Sequence, residues 1–446
     1  MIFLLSVTNV RPRSRVVFRA LALLIVLVGV SSARTAKAEL LAGAARVDIT
    51  PDVKASKIPL GGYAARKGAA STGVHDPVYA HALVLADGQT KAAIVSLDLC
   101  FLPASVKLEV VKRLRMQANG WDADKLFLAA THTHSAPDPL AMHAGNTFQL
   151  NGWTPFDAKL LSFTADKIAA AIVQAEKAER PATIAMAARD VPALNRNRRG
   201  EVTTDPALTL VKVSGTDGNA IAAIVNYAAH PTLYGDDMRE VSADWPGVMA
   251  ADVEKTLGDK AVCLFLNGAE GDASPAGVDD KRGDEKSEVY GHKVADIVKQ
   301  LLAAVKPERD PALSIWPVEV KLPARKPNAM FIAAAGQLGA TFAQARALVD
   351  TLMPTTSTVT MVRIGTLLLI GMPCEPTADL GLQIKAMARK AGYPNPAVVA
   401  LTNDWLAYAL MPEQYRKGNY EAMMSFYGDQ LGPTLLQAVQ TGLNPK

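Results

Sequence analysis

Histidine and cysteine are scarce in this chain, with 7 His and 3 Cys among 446 residues. At most one disulfide can form, which excludes a disulfide-stapled scaffold. Cys100, Cys263 and Cys374 each lie in or beside an apolar run, where a buried free thiol is expected. Nothing marks Cys374 as a nucleophile. A basic surplus is also missing. Six of the 47 Lys and Arg fall in residues 1–38, which hold no Asp or Glu; without them 41 basic residues face 43 acidic ones. No basic block could track a phosphate backbone, so nucleic-acid binding is excluded. Beyond residue 38 no apolar stretch reaches bilayer-spanning length. No internal repeat, low-complexity tract, long polar linker or Lys-rich amphipathic helix stands out, so the sequence carries no argument for membrane docking. The whole chain is 49% hydrophobic and 20% charged, which excludes a disordered, collagen-like or coiled-coil chain.

The first 38 residues read as a secretory signal. Arg11, Arg13, Arg15 and Arg19 precede an apolar run from Ala20 to Val30, and Ala36-Lys37-Ala38 fits an A-x-A cleavage site before Glu39. The run is about half of a bilayer span. The expected product is exported, periplasmic or secreted, after cleavage near Ala38; retention as an uncleaved anchor is the alternative.

Residues 39–446 read as one domain. Short apolar runs occur at 82–86, 92–97, 126–130, 222–227, 262–266, 366–370 and 397–401. Apolar at nearly every position, they read as strands buried on both faces. Helical periodicity lies between them: Val289, Val294, Ile297, Val298, Leu301 and Leu302 recur at i, i+3/i+4, and 243–257 and 377–390 are similar. The Ala-rich segment 322–354 also reads as helical. The expectation is an α/β layered domain with a mostly buried mixed sheet flanked by helices.

Several of those strands run into polar chemistry at their carboxyl ends, where α/β sheets form their ligand crevice. Residues 126–130 run into Thr131-His132-Thr133-His134-Ser135, and 222–227 into Ala229-His230-Pro231. Residues 262–266 run into Asn267-Gly268-Ala269-Glu270-Gly271-Asp272-Ala273-Ser274-Pro275, 366–370 into Cys374-Glu375-Pro376, and 397–401 into Thr402-Asn403-Asp404. If the strand continues through His132 and His134, both face one side, as two metal ligands or as one ligand and one substrate donor. His230 alone could fill a turn. Glu375, directly after an apolar strand, needs a cation or a full set of donors if buried. Two imidazoles and a carboxylate are a common catalytic zinc set. His75, His81, His143 and His292 lack such a setting and read as structural or surface residues.

Together these motifs resemble the neutral/alkaline (non-lysosomal) ceramidase family. The resemblance rests on Thr131-His132-Thr133-His134-Ser135, Asn195-Arg196, His230-Pro231, Gly271-Asp272-Ala273-Ser274-Pro275, Glu375 and the stretch from Leu401-Thr402-Asn403 to Tyr408. It continues through Tyr420-Glu421-Ala422, Tyr427-Gly428 and Gly432-Pro433-Thr434-Leu435. It implies a zinc-dependent amidohydrolase that splits ceramide, or a related N-acyl lipid, into sphingoid base and fatty acid. One Zn2+ would be held by His132, His230, Glu375 and Tyr408. His134 and Arg196 would face the scissile amide, and Ser274 would be the essential serine, as substrate donor or as nucleophile. Unaided, Tyr408 reads as a core tyrosine, Arg196 as part of an exposed polar loop, Ser274 as a turn residue, and Asp272 as a brace of that turn. Zinc would activate water and polarise the carbonyl, while His134 and Arg196 would stabilise the oxyanion.

Two departures from the family pattern bear on substrate. The usual Gly-rich continuation after Ser135 is Ala136-Pro137-Asp138-Pro139, and no C-terminal immunoglobulin-like domain is expected. The expected partner is a lipid-like amide, at a membrane surface or free of one, with no obligate protein partner. The alternatives are an exported zinc hydrolase of another amide or ester, or a non-catalytic lipid-binding relative.

Overall fold

The computed structural model describes residues 39–117, 120–148, 153–258, 260–308, 311–337 and 339–444. The expected signal segment lies outside them. Two sheets, each of mixed direction, organise the chain. The larger has the order β9-β8-β7-β5-β1-β2-β3-β4, where β1 is Leu41–Asp48, β2 Tyr79–Ala86, β3 Lys91–Leu97, β4 Leu126–Ala130, β5 Arg180–Asp190, β7 Ala207–Gly215, β8 Ala220–Tyr227 and β9 Val262–Asn267. The smaller has the order β11-β12-β13-β15, with β11 Leu313–Lys321, β12 Thr356–Ile364, β13 Leu367–Gly371 and β15 Asn395–Val399. Two of the short ladders outside these sheets bear on the site: β6 (Asn195–Asn197) runs antiparallel to β10 (Ala273–Pro275), and β14 (Glu375–Pro376) parallel to β16 (Tyr408–Ala409).

The two main sheets pack face to face, and alternation along each strand produces the layers. In β4, Phe127 and Ala129 point into the inter-sheet layer, where Ile94, Val211, Ile224 and Leu264 meet Val362, Leu367, Leu369 and Val399. Leu126, Leu128 and Ala130 point the other way, onto α1 (Ala104–Gln117) and α2 (Ala158–Lys177). The other half of the large sheet is covered by α3 (Asp244–Leu257) and α4 (Asp284–Ala304). The outer face of the small sheet is covered by α6 (Phe342–Leu352), α7 (Ala378–Lys390) and α9 (Leu431–Leu443). Each large apolar side chain fully buried this way contributes about 1.5–3 kcal/mol. The runs read as buried on both faces are strands of this helix–sheet–sheet–helix stack.

Parallel strands need a crossover, and in the two main sheets a helix lies in each one: β3-α1-β4, β8-α3-β9 and β13-α7-β15. The segments that leave the carboxyl ends of β4, β8, β9 and β13 carry the polar motifs, and buried amides tie the ends together. Asn226 Nδ2 donates to the carbonyls of Leu266 and Val398, both at 2.9 Å, joining the two sheets. Asn403, at φ +64°, accepts from Leu128 N through Oδ1 at 3.0 Å and donates to Leu126 O at 2.9 Å, closing the edge of β4.

Candidate metal centre

The strand leading to His132 stops at Ala130 and does not continue through both histidines. His132 has φ +76°, its N–H bonded to Leu99 O at 2.9 Å while Thr131 N–H bonds Leu97 O at 2.8 Å. A left-handed histidine costs on the order of 1–3 kcal/mol and persists only where the surroundings enforce it. Its ring is fixed as well: Nδ1 donates to Cys100 O at 2.5 Å, which leaves Nε2 as the free lone pair. His230 repeats the device, with Nδ1 donating to Ala273 O at 3.2 Å.

Glu375 enters through the β14–β16 ladder, directly opposite Tyr408. The indole of Trp405, stacked on Phe101, donates to Glu375 Oε1 at 3.2 Å. The other oxygen, Oε2, is buried and has no hydrogen-bond partner. It lies 3.3 Å from His132 Nε2 and 3.7 Å from His230 Nε2, and the Tyr408 hydroxyl is 3.2 Å from His230 Nε2. Ligand bonds of about 2.1 Å place tetrahedral donors about 3.4 Å apart. Two imidazoles oriented through their second nitrogens and an unpaired carboxylate oxygen therefore fit a zinc ion.

The electrostatics have the same logic. Burial opposes charge on His132, but the Glu375 carboxylate and Cys100 reverse this and hold its pKa well above the usual value. Burial would raise Glu375, yet His132 holds it well below the carboxylate range. Without an ion the two form a charge-compensated pair, and a cation bound there would take the place of the histidine proton. His230 is pushed down to about 3 by burial and then by Arg198, so it is neutral and able to ligate. Burial, followed by Glu375, raises the Tyr408 phenol well above its ordinary value, while Arg198 pulls the other way.

His134 stands beside this set, its Nε2 3.4 Å from His132 Nε2. Burial, then His132 and His230, hold it well below the ordinary imidazole value, so it is neutral. The backbone carbonyl of His134 accepts from buried Arg66 at 2.5 Å, and Tyr63 meets its ring edge-on at 4.7 Å. Gly62, at φ +90°, is pressed against that ring; a Cβ there would fall 2.3 Å from His134 Cγ.

The other expected residues are placed less uniformly. Ser274 is half-buried in β10, next to the Ala273 carbonyl that orients His230. Asp272 braces the turn, accepting from Ala378 N at the start of α7 and from Asn197 Nδ2. Arg196 is not brought to the cluster. It stands opposite Ser274 on the more open face of the β6–β10 ladder, its side chain is 56% exposed, and its guanidinium bonds both carboxylate oxygens of Asp279 at 2.9 Å. Arg198, two residues on, reaches the centre instead, donating from Nη2 to the Tyr408 hydroxyl at 3.0 Å and to Gly271 O at 2.8 Å. Its Nε bonds Glu421, a carboxylate 2% exposed that also receives Arg199. Asn195-Arg196-Asn197-Arg198-Arg199 offers three arginines, and only the turn after Asn197 decides that Arg198 reaches the Tyr408 hydroxyl while Arg199 is buried against Glu421 and Arg196 stays exposed. Asn267 was also not legible as a site residue: its Oδ1 accepts from Ala229 N, and its Nδ2 donates to the carbonyls of Thr131 and Ala229, joining the two histidine loops. All three cysteines are buried and unbridged.

This fold and site define a class: a layered α/β protein with a candidate mononuclear metal centre at strand carboxyl ends. Within that class the chain belongs to the neutral/alkaline non-lysosomal ceramidase family, whose N-terminal profile matches residues 40–312. It is 24% identical over 497 residues to the neutral ceramidase of Pseudomonas aeruginosa, covering 93% of this chain and 73% of that protein. With the neutral ceramidase of Drosophila pseudoobscura pseudoobscura it shares 30% identity over 286 residues, 59% of this chain and 39% of the relative. The chain thus matches less than half the length of the Drosophila protein. The crystal structure of the Pseudomonas aeruginosa enzyme superposes with a TM-score of 0.78 at 20% identity, covering 91% of this chain and 75% of that one. A ceramidase complexed with C2 gives 0.79 over the same shares. These likenesses establish the fold.

Proposed function

We propose that this protein is an exported zinc-dependent amidohydrolase that cleaves the N-acyl bond of ceramide, or of a related N-acyl lipid, to a sphingoid base and a fatty acid. The observation that carries the reading is the unpaired, buried Glu375 Oε2 facing His132 Nε2 and His230 Nε2 in a chain of the ceramidase family. The neutral ceramidases of Pseudomonas and Drosophila support the substrate class by their names.

His132, His230, Glu375 and Tyr408 would hold the ion. A bound zinc supplies Lewis acidity, polarising the amide carbonyl and activating water. The residues of this chain do the rest. Arg198 donates to the Tyr408 hydroxyl and so favours its ionised form, the form a ligand needs. Neutral His134, fixed by Gly62, Tyr63 and Arg66, presents Nε2 beside the ligand set, where it can donate to the developing oxyanion or hold the proton destined for the leaving amine. Ser274 and Arg196 share the more open ladder face, where the serine hydroxyl can bond the substrate or attack it. An exposed ion pair such as Arg196–Asp279 is worth only about 0–1 kcal/mol, so Arg196 can leave it for a substrate.

The test is product analysis with a short-chain fluorescent ceramide. The reading requires release of free fatty acid and sphingoid base, and loss of at least about 100-fold in kcat/KM for Glu375→Gln. A zinc-loaded, folded protein that leaves ceramide intact would overturn the ceramide assignment and redirect the search to smaller amides and esters.

A further inference from the structure

Arg199 and Glu421 form an ion pair sealed from water, with side chains 1% and 2% exposed and Nη1 2.8 Å from Oε2. A buried pair of this kind seldom repays the desolvation of its two charges, and apolar side chains of the same volume would hold the chain as well. Its place in the molecule gives it another use. Glu421, on α8 (Asn419–Met423), is shared: its second oxygen, Oε1, accepts from Arg198 Nε at 2.8 Å. A carboxylate divided between two guanidiniums fixes Arg198 without neutralising it. The planar fork of Arg198 then carries Nη2 to the Tyr408 hydroxyl at 3.0 Å.

Arg199 is anchored on its other sides as well. Nη1 and Nη2 donate to the carbonyls of Gly418 and Gln414 at 3.1 and 3.0 Å, which pins the segment that leads into α8. Nε donates to Glu201 Oε1 at 3.3 Å. Glu201 Oε2 accepts from Gln414 Nε2 at 2.8 Å, and Gln414 Oε1 accepts from Thr377 Oγ1 at 2.7 Å. Thr377 lies two residues beyond Glu375, which stands opposite Tyr408 in the β14–β16 ladder. Arg199 is therefore joined to both strands that bring an oxygen donor to the metal centre. It reaches Tyr408 through Glu421 and Arg198, and the Glu375 strand through Glu201, Gln414 and Thr377.

We infer that Arg199 and Glu421 are positioning residues of the metal centre. Neither belongs to the ligand set; together they hold Arg198 on the Tyr408 hydroxyl, so that affinity for the ion depends on a pair of charges outside that set. The proposal rests on the metal reading of the site and adds what keeps its phenol in place.

The test is zinc titration of the chelated protein against a competing chelator, with no substrate present. The tyrosinate-to-copper charge-transfer absorption of the copper-loaded protein is followed alongside. Removing one partner alone would leave a buried charge and endanger the fold, so the variant is the double Arg199→Met/Glu421→Met, whose urea midpoint should stay close to the wild type. Its zinc affinity should fall at least about tenfold, and its copper band should weaken or shift. In a Tyr408→Phe background the same double substitution should change zinc affinity by less than about twofold, because the route through which it acts is gone. Unchanged affinity and an unchanged copper band in the folded double variant would overturn the inference. So would a full further loss of affinity in the Tyr408→Phe background, the mark of a merely structural pair. Wild-type protein that takes up no zinc would overturn the metal reading and this inference with it, whereas zinc uptake without ceramide cleavage would refute only the proposed substrate.

Discussion

At Asn267 a single amide spans two histidine-bearing loops, holding the Thr131 carbonyl at 3.1 Å and the Ala229 backbone at 3.1 and 3.2 Å. It bonds no ligand side chain but ties the loops that carry two of them, so Asn267→Leu, which leaves three buried backbone groups unpaired at about 1–3 kcal/mol each, should lower the urea midpoint and weaken zinc affinity at least about tenfold. A zinc titration of the chelated variant reads this directly. Arg198 and Arg196 should separate cleanly. A hydrogen bond to a charged group is worth about 1.5–3 kcal/mol, so Arg198→Ala should lower kcat/KM on short-chain ceramide by roughly 10- to 150-fold. If Arg196 stays with Asp279, Arg196→Ala should stay within about threefold; the reverse order would show that Arg196 moves to the substrate. Asp244 tests the electrostatics away from the metal. Burial raises its pKa to about 6, so the folded state keeps a proton that the unfolded state loses between about pH 4 and 6. The stability this group gives at low pH is lost as pH rises through that window. Urea unfolding should therefore show Asp244→Asn gaining about 3 kcal/mol on the wild type between about pH 4 and pH 7. Glu375 stood out in the sequence because a carboxylate directly after an apolar strand must find a partner, and the His132–His134 pair because of its place at a strand end; His230, which alone could fill a turn, joined them through the family resemblance. Arg198 and Asn267 did not stand out, since the first depends on one turn and the second is only one of several amides near strand ends.

Among the elements, the strands were the easiest to read and their ends the hardest. A five-residue apolar run such as Leu367–Gly371 is too short for a core helix and reads as a strand covered on both sides. The break after Ala130 depends on His132 taking a positive φ, which Leu99 and Cys100 enforce from another strand's end. Gly62 belongs to the same account: Gly62→Ala drives a methyl into His134, so activity should fall more than stability. Comparing the variant's kcat/KM with its urea midpoint checks this. The helix α5 (Ala329–Gln337) could be recognised by composition, but its exposure was not legible, because an Ala-rich apolar segment reads equally as a core helix.

For the whole molecule, sequence pattern reached the α/β class and the strand-end crevice but not the stacking of one sheet on another. A strand buried on both faces does not reveal whether a sheet or a helix covers each face. The inter-sheet layer should carry stability without chemistry. Ile224→Ala should cost about 2–5 kcal/mol in urea unfolding while the folded variant still binds zinc. The central claim is that one ion, held by His132, His230, Glu375 and Tyr408, is required for amide cleavage. It is tested most directly by adding zinc back to chelated protein while following short-chain ceramide cleavage, with His230→Ala in parallel. The account predicts no cleavage after chelation, full recovery at one zinc per chain, and none in the variant. Cleavage that survives complete zinc removal, or that His230→Ala retains, would contradict it.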